Sequence, residues 1–320
     1  TLMRYQRLIV MLLFSCQSYG VWPQDPIEDA RESLKQEVRN SDIGAGYAQM
    51  LNFFIEPSIS ASRLDADDGT RYDVFKLPLQ MEFPISKHDW QLAVRGTLSH
   101  ARADTTFSIL EGEDIDGSWT ADSGQVGLGL LVPAGDHWRW TVAGHFGISR
   151  MENDADYRGP LSETIVAPIT DGVLFNWDTN ARIASLTGGV DYQGRLRERY
   201  DLEVLARYTH SRIESYSESP DLVPFSADTG TFSAKAKLEH PLRASIGERR
   251  MFGVVHAGFT AFTGPNRTAL GFGHFYELGY SLGLDVSDRN RFFRSFSVGY
   301  QLNLGSDIEG HSILFGWDLK

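Results

Sequence analysis

Nine histidines are the residues of this chain that most invite a chemical reading. His145 and His256 fall within strand-like segments, His88 in a turn, and His137 just after one. His100, His210, His240, His274 and His311 lie at or near segment ends. A zinc site needs ligands spaced to converge, as in H-E-x-x-H on one helix face, and the chain has no such pair. Ester hydrolysis needs a serine within reach of a histidine. Ser149 is near His145 but not at a spacing that matches such a pair. Gly127-Leu128-Gly129 and Gly188-Gly189 read as closely packed strands and not as phosphate cradles, because no helix follows them. These residues predict no enzyme, no metal and no cofactor.

The charged residues within the strand-like segments are more telling. Lys76, Arg95, Arg139, Arg207, Lys235 and Lys237 fall on the same polar face as Glu82, Glu203, Glu239, Glu277 and Asp285. If that face lines an interior, the two signs either pair across it and plug it, or line a pore. Both readings stand at this point. The net charge of -12 excludes nucleic acid as a default partner, since phosphate neutralisation needs clustered Lys and Arg.

What positions these charges is a period of two. Phe75, Leu77, Leu79, Met81 and Phe83 alternate with Lys76, Pro78, Gln80 and Glu82. Trp138, Trp140, Val142, Gly144, Phe146 and Ile148 alternate with Arg139, Thr141, Ala143 and His145. The pattern recurs to Ile313, Phe315, Trp317 and Leu319, and with a first strand over Phe53–Arg63 it predicts about twelve strands. Many segments reach the roughly 9 to 11 residues of a tilted membrane strand, and aromatics gather at their ends. Beyond the N-terminus no run reaches the roughly 18 apolar residues of a membrane helix. The class expected is all-β, a transmembrane antiparallel β-barrel with a short N-terminal helix. Links at Ser86–Asp89 and Pro133–Asp136 are short. Those over Asp104–Thr120, Met151–Trp177 and Ser215–Asp228 read as long loops on the other side.

The N-terminus divides in two. Arg4 and Arg7 before Leu8-Ile9-Val10-Met11-Leu12-Leu13-Phe14 form a secretory leader over residues 1–22, with translation expected from Met3. Cys16 also permits a lipidation reading of Leu13-Phe14-Ser15-Cys16. Residues 23–48 hold a helix opened by Asp25-Pro26-Ile27-Glu28 and closed near Asn40, with Ile27, Ala30, Leu34 and Val38 on one stripe. It is placed in the lumen or beneath it. Residues 49–320 form the barrel.

A leader, a capped helix and about twelve strands in this order resemble the autotransporter β-domain, whose helix threads a twelve-stranded barrel. With only about 25 residues between leader and barrel, the chain resembles a solitary member with no passenger. The resemblance implies an integral bacterial outer-membrane protein, structural or a narrow pore. A porin-like solute or ion channel is the alternative, and an outer-membrane esterase a second one. It also implies contact with outer-membrane lipids and lipopolysaccharide, periplasmic chaperones and the barrel-assembly machinery. Phe315, Trp317 and Leu319 resemble the terminal assembly signal of such barrels, although the chain closes on Lys320 and not on an aromatic.

Overall fold

The structure, a computed structural model, describes residues 26–40, 61–85, 89–197, 199–216, 219–264, 272–288 and 293–319. The leader with Cys16, the cap at Asp25 and the expected first-strand residues Phe53–Ser60 lie outside them. Helix α1 (Pro26–Asn40) is followed by β1 (Ala61–Ala66), β2 (Arg71–Pro84), β3 (Gln91–Leu110), β4 (Glu113–Pro133) and β5 (Trp138–Arg158). A π-turn over Ser162–Val166 and the single-turn helix α2 (Ala167–Thr170) lead to β6 (Trp177–Leu196) and β7 (Tyr200–Tyr216). Then come β8 (Ser226–Ile246), β9 (Arg249–Thr263), β10 (His274–Asp285), β11 (Phe293–Gly305) and β12 (Ile308–Leu319). Each strand pairs antiparallel with its neighbours in sequence, and β12 returns to β1 to close the barrel, with Ala61 opposite Ile313 and Ala66 opposite Ile308. Closure leaves no strand edge, which hydrocarbon requires.

The strands from β3 to β8 are 17 to 21 residues long, well beyond what a bilayer needs. Their side-chain polarity explains why. On β4 the outward residues Val126, Leu128, Leu130 and Val132 are apolar, while inward Ser123 and Gln125 are polar. Further along the same strand the order reverses: Asp114, Asp116, Ser118, Thr120 and Asp122 point out, and Ile115, Trp119 and Ala121 point in. β5 switches between Ile148 and Arg150, β6 between Arg182 and Ala184, β3 between Leu98 and His100, and β2 between Asp73 and Phe75. The switch falls at one level around the barrel. Below it the wall is lipid-facing outside and polar inside. Above it the wall is polar outside and apolar inside, as in a soluble protein.

Two of the expected long loops are therefore corrected. Asp104–Thr120 is a hairpin in which β3 and β4 continue to a tight turn at Glu111-Gly112, where Gly112 has φ 80°. The expected Met151–Trp177 loop is shortened, since β5 runs on to Arg158, and residues 159–176 form the loop that carries the π-turn and α2. Backbone N–H groups of Ser162 and Leu161 donate to the Glu113 carboxylate at 2.7 and 3.2 Å and hold its pKa below the usual carboxylate range. The β3–β4 tip and the β5–β6 loop are thus tied together. All the longer connections lie at this end, and the opposite end carries the short turns.

The apolar side chains inside the upper section form the core. Leu64, Val74, Ala121, Met151, Trp177, Ala181, Ile183, Ile213, Phe262 and Phe275 are buried there, joined by Leu222 and Phe272 from the β7–β8 and β9–β10 connections. A second cluster sits against α1. Ala30, Leu34 and Val38 pack on inward Phe107 and Ile115 and on Val166, Ile169, Phe175 and Val223. Of the expected helical stripe, Ile27 is the exception, being 38% exposed.

Candidate functional site

The lumen holds the arrangement of interest, and its two halves differ in kind. In the upper half Leu64, Ile183 and Ile213 are each 0% exposed although they point into the barrel. A wide aqueous pore would wet them. In the lower half the inward face is polar, and every strand-borne charge named from the sequence lies on it.

Arg207 forks onto Asp191, with Nη2 at 2.9 Å from Oδ1 and 3.1 Å from Oδ2, and Thr141 donates its hydroxyl to the same carboxylate at 2.7 Å. Lys235 pairs with Glu277 at 2.9 Å, both side chains buried. Glu277 also accepts from Gln301 Nε2 at 2.9 Å, and Gln301 donates to Asn303, which reaches Ser312 and so the β1–β12 seam. Arg139 meets Glu82 at 3.2 Å, and Arg95 donates to the Gln80 carbonyl at 3.0 Å. Lys76 is buried near the polarity switch. Glu203 and Lys237 face each other across the β7–β8 register, Glu239 lies opposite Asp201, and Asp285 stands at the short-turn end of β10.

Two glycines make these contacts sterically open. Lys235 and Glu277 come from β8 and β10 and both sit opposite Gly258 of the intervening β9, where a Cβ would collide with the Glu277 carboxylate. Gly189, opposite Arg207, similarly leaves room for the arginine stem.

The serine–histidine proximity sought from the sequence falls elsewhere than expected. Ser149 donates to the Asp122 carbonyl at 2.9 Å and does not bond to His145. The pair that does form is His256 Nε2 with Ser281 Oγ, at 2.8 Å. Sequence order gave no cue to it, because only the β9–β10 register, which sets His256 opposite Gly279, brings Ser281 diagonally into reach. No carboxylate is bonded to His256 among the described contacts. Of the terminal residues, Phe315 and Trp317 project from the outer face of β12, and Leu319 pairs through its backbone with Phe293.

A family profile described as the solitary outer membrane autotransporter beta-barrel domain matches residues 62–319. The chain belongs to that family. The solved β-domain of the Bordetella autotransporter BrkA is similar in fold, with 14% identity, a TM-score of 0.52, and coverage of 80% of this chain and 94% of that one. The transport unit of the autotransporter AIDA-I from Escherichia coli matches at 11% identity with a TM-score of 0.51, covering 82% of this chain and 89% of that one. A comparison with curated protein sequences found no match.

In this autotransporter-family barrel α1 is latched as well as packed. Asp221, in the β7–β8 connection, accepts from Arg31 at 2.9 Å and from Lys35 at 3.0 Å, and Arg31 also donates to the Pro168 carbonyl of α2 at 2.9 Å. The hydrogen bonds from Lys35 and Arg31 hold the Asp221 carboxyl below its ordinary pKa. That contribution to docking is complete above the carboxyl's unfolded-state pKa and is lost as pH falls through the depressed value. Asp221→Asn should raise amide hydrogen exchange across Pro26–Asn40 at neutral pH, and the difference from the parent protein should shrink in acid. Equal exchange at neutral pH would mean that packing alone holds the helix.

Proposed function

We propose that this protein is a sealed, non-enzymatic barrel of the outer membrane, structural in role, with its short turns in the periplasm and its extended hairpins outside. The carrying observation is the polarity switch inside the wall. Above it the two buried apolar clusters occupy the lumen, the second packed on α1, and among the described residues they interrupt the polar lining of the lower half. This favours a plug over the porin-like alternative. The polar lower lumen is then a blind vestibule facing the periplasm.

The same switch supports the lipid contacts expected from the sequence. Arg63, His100, Arg150, Arg182 and Arg212 ring the outer edge of the apolar band, interleaved with Asp73, Asp122 and Asp228. Such a mixed ring suits the phosphate groups and bridging cations of lipopolysaccharide. Export through the leader from Met3, escort by periplasmic chaperones, and insertion by the assembly machinery through Phe315, Trp317 and Leu319 complete the reading.

The test is conductance in planar bilayers. Refolded protein should give no channel events above the bare membrane in molar salt. Steady single-channel conductance would show an aqueous path and return the porin-like reading.

A further inference from the structure

At mid-depth of the apolar band, just beneath the core, the lumen holds a cavity of about 80 Å³ lined by Gln80, Arg95, Gln125, His145, Arg207 and Ser233 among others. Its lining is rich in donors without an acceptor. Arg95 Nη2, Gln125 Nε2, His145 Nδ1, Thr231 Oγ1 and Ser233 Oγ are all buried with no hydrogen-bond partner in the chain. Gln125, Thr231 and Ser233 are each less than a tenth exposed. Native proteins leave only scattered groups of this kind, and each costs free energy when it stays unsatisfied. Here five converge on one space.

Charge points the same way. The Asp191 carboxylate is taken up by the Arg207 fork and the Thr141 hydroxyl. The Arg139 guanidinium has Glu82. Arg95 bonds only a neutral amide oxygen, Gln80 Oε1, so its charge has no carboxylate in contact. Asp191 and Glu82 act on Arg95 only from a distance, each already bonded to another arginine, so three guanidiniums share two carboxylates and the excess positive charge in the interior favours an anion.

The backbone is shaped for these side chains. Gly127 lies directly between Arg95 on β3 and His145 on β5, and a Cβ there would overlap the imidazole. Gly147 sits opposite Gln125, and a Cβ there would overlap the Gln125 side chain. Gly189 does the same for Arg207. Three inward glycines thus each make room for one polar group of the lining. Strand interiors disfavour glycine unless something must approach closely.

From this geometry we infer that the mid-barrel cavity is a binding site for a small oxyanion, a phosphate or carboxylate group, reached from the short-turn end. Arg95 supplies the charge, and the Gln125 amide, the Thr231 and Ser233 hydroxyls and the His145 ring supply directional donors. Water alone could satisfy the neutral donors, but it leaves the excess of guanidinium over carboxylate charge in place. The site does not depend on whether the upper core seals the barrel, so its test is separate from conductance.

Isothermal titration of the full chain, refolded in a nonionic detergent, would use sodium phosphate and sodium acetate, with sodium chloride of equal ionic strength as the blank. The expected result is saturable binding of one anion per barrel, phosphate and acetate separating the two oxyanion classes. Arg95→Gln should weaken it at least tenfold, and Ser233→Ala, which changes neither charge nor strand geometry, several-fold. Both variants should keep the heat-dependent gel shift of a folded barrel. Absence of saturable heat with either anion would overturn the proposal. So would unchanged affinity in Ser233→Ala together with unchanged affinity, or failure to fold, in Arg95→Gln.

Discussion

Leu128→Arg should destabilise the barrel by about 2 to 4 kcal/mol, the cost of an arginine facing lipid near the bilayer midplane. Leu128 is 61% exposed on the outer face of β4, between Val94 on β3 and Gly144 on β5, so nothing in the protein shields a charge placed there. Thr106→Arg, also an outward position on a strand of the same wall, should fall within about 0.5 kcal/mol of the parent. Thr106 sits above the switch, beside Asp116, to which it donates at 2.7 Å, and an arginine there would meet water and that carboxylate. The measurement is reversible unfolding in urea in the presence of lipid vesicles. Alternation alone predicts the same penalty at both sites. Only a wall whose outer face changes solvent partway along predicts the difference. Equal penalties would place Thr106 in the bilayer and remove the basis for an apolar seal.

That contrast also shows where the sequence was readable. The strand period survives the switch, since Ile115, Gly117, Trp119 and Ala121 alternate with Asp114, Asp116, Ser118 and Thr120 as regularly as the residues below them. What fails is the cue that marks a membrane strand. Thr105 and Gly117 are inward but not apolar, and Asp104, Asp114 and Asp116 make the stretch acidic, so it resembles a loop until its burial is known. The strand count and the side of the wall on which a given charge lies follow from residue parity. The pairing of those charges does not, because it depends on register between strands. Lys235 and Glu277 are separated by 42 residues and by the whole of β9, and only the register that sets Gly258 between them lets the pair form. Asp191 is similar. It lies among Gly188, Gly189 and Val190, and nothing local marks it as the partner of Arg207.

Removal of residues 311–320 should abolish the folded barrel, and register again gives the reason. β12 is the only described strand that joins β11 to β1. It pairs with β11 from Leu304 opposite Glu309 to Phe293 opposite Leu319, and with β1 from Ala66 opposite Ile308 to Ala61 opposite Ile313. Ending the chain at Gly310 strips β11 of every β12 partner from Leu302 down to Phe293, although β10 still pairs with it, and leaves Ala61, Ser62 and Arg63 paired with β2 alone. Leu302, Tyr300, Val298 and Phe296 all face lipid, so the exposed backbone lies within the hydrocarbon zone, where each unpaired N–H or C=O costs several kcal/mol. The inner seam is lost as well. Ser312, fully buried, bonds Ser62 at 2.7 Å and accepts from Asn303 at 2.8 Å, tying the Gln301–Asn303 chain to β1. Summed over a strand, these losses exceed the few kcal/mol of net stability typical of a folded domain. The truncated chain should show no heat-modifiable species in outer-membrane fractions and should be degraded in the periplasm. Phe315→Ala with Trp317→Ala separates closure from recognition. Both side chains lie on the lipid side and make none of the ladder bonds, so the doubly substituted protein should still fold in detergent while inserting poorly in cells. Normal insertion of the truncated chain would mean that β12 does not close the barrel.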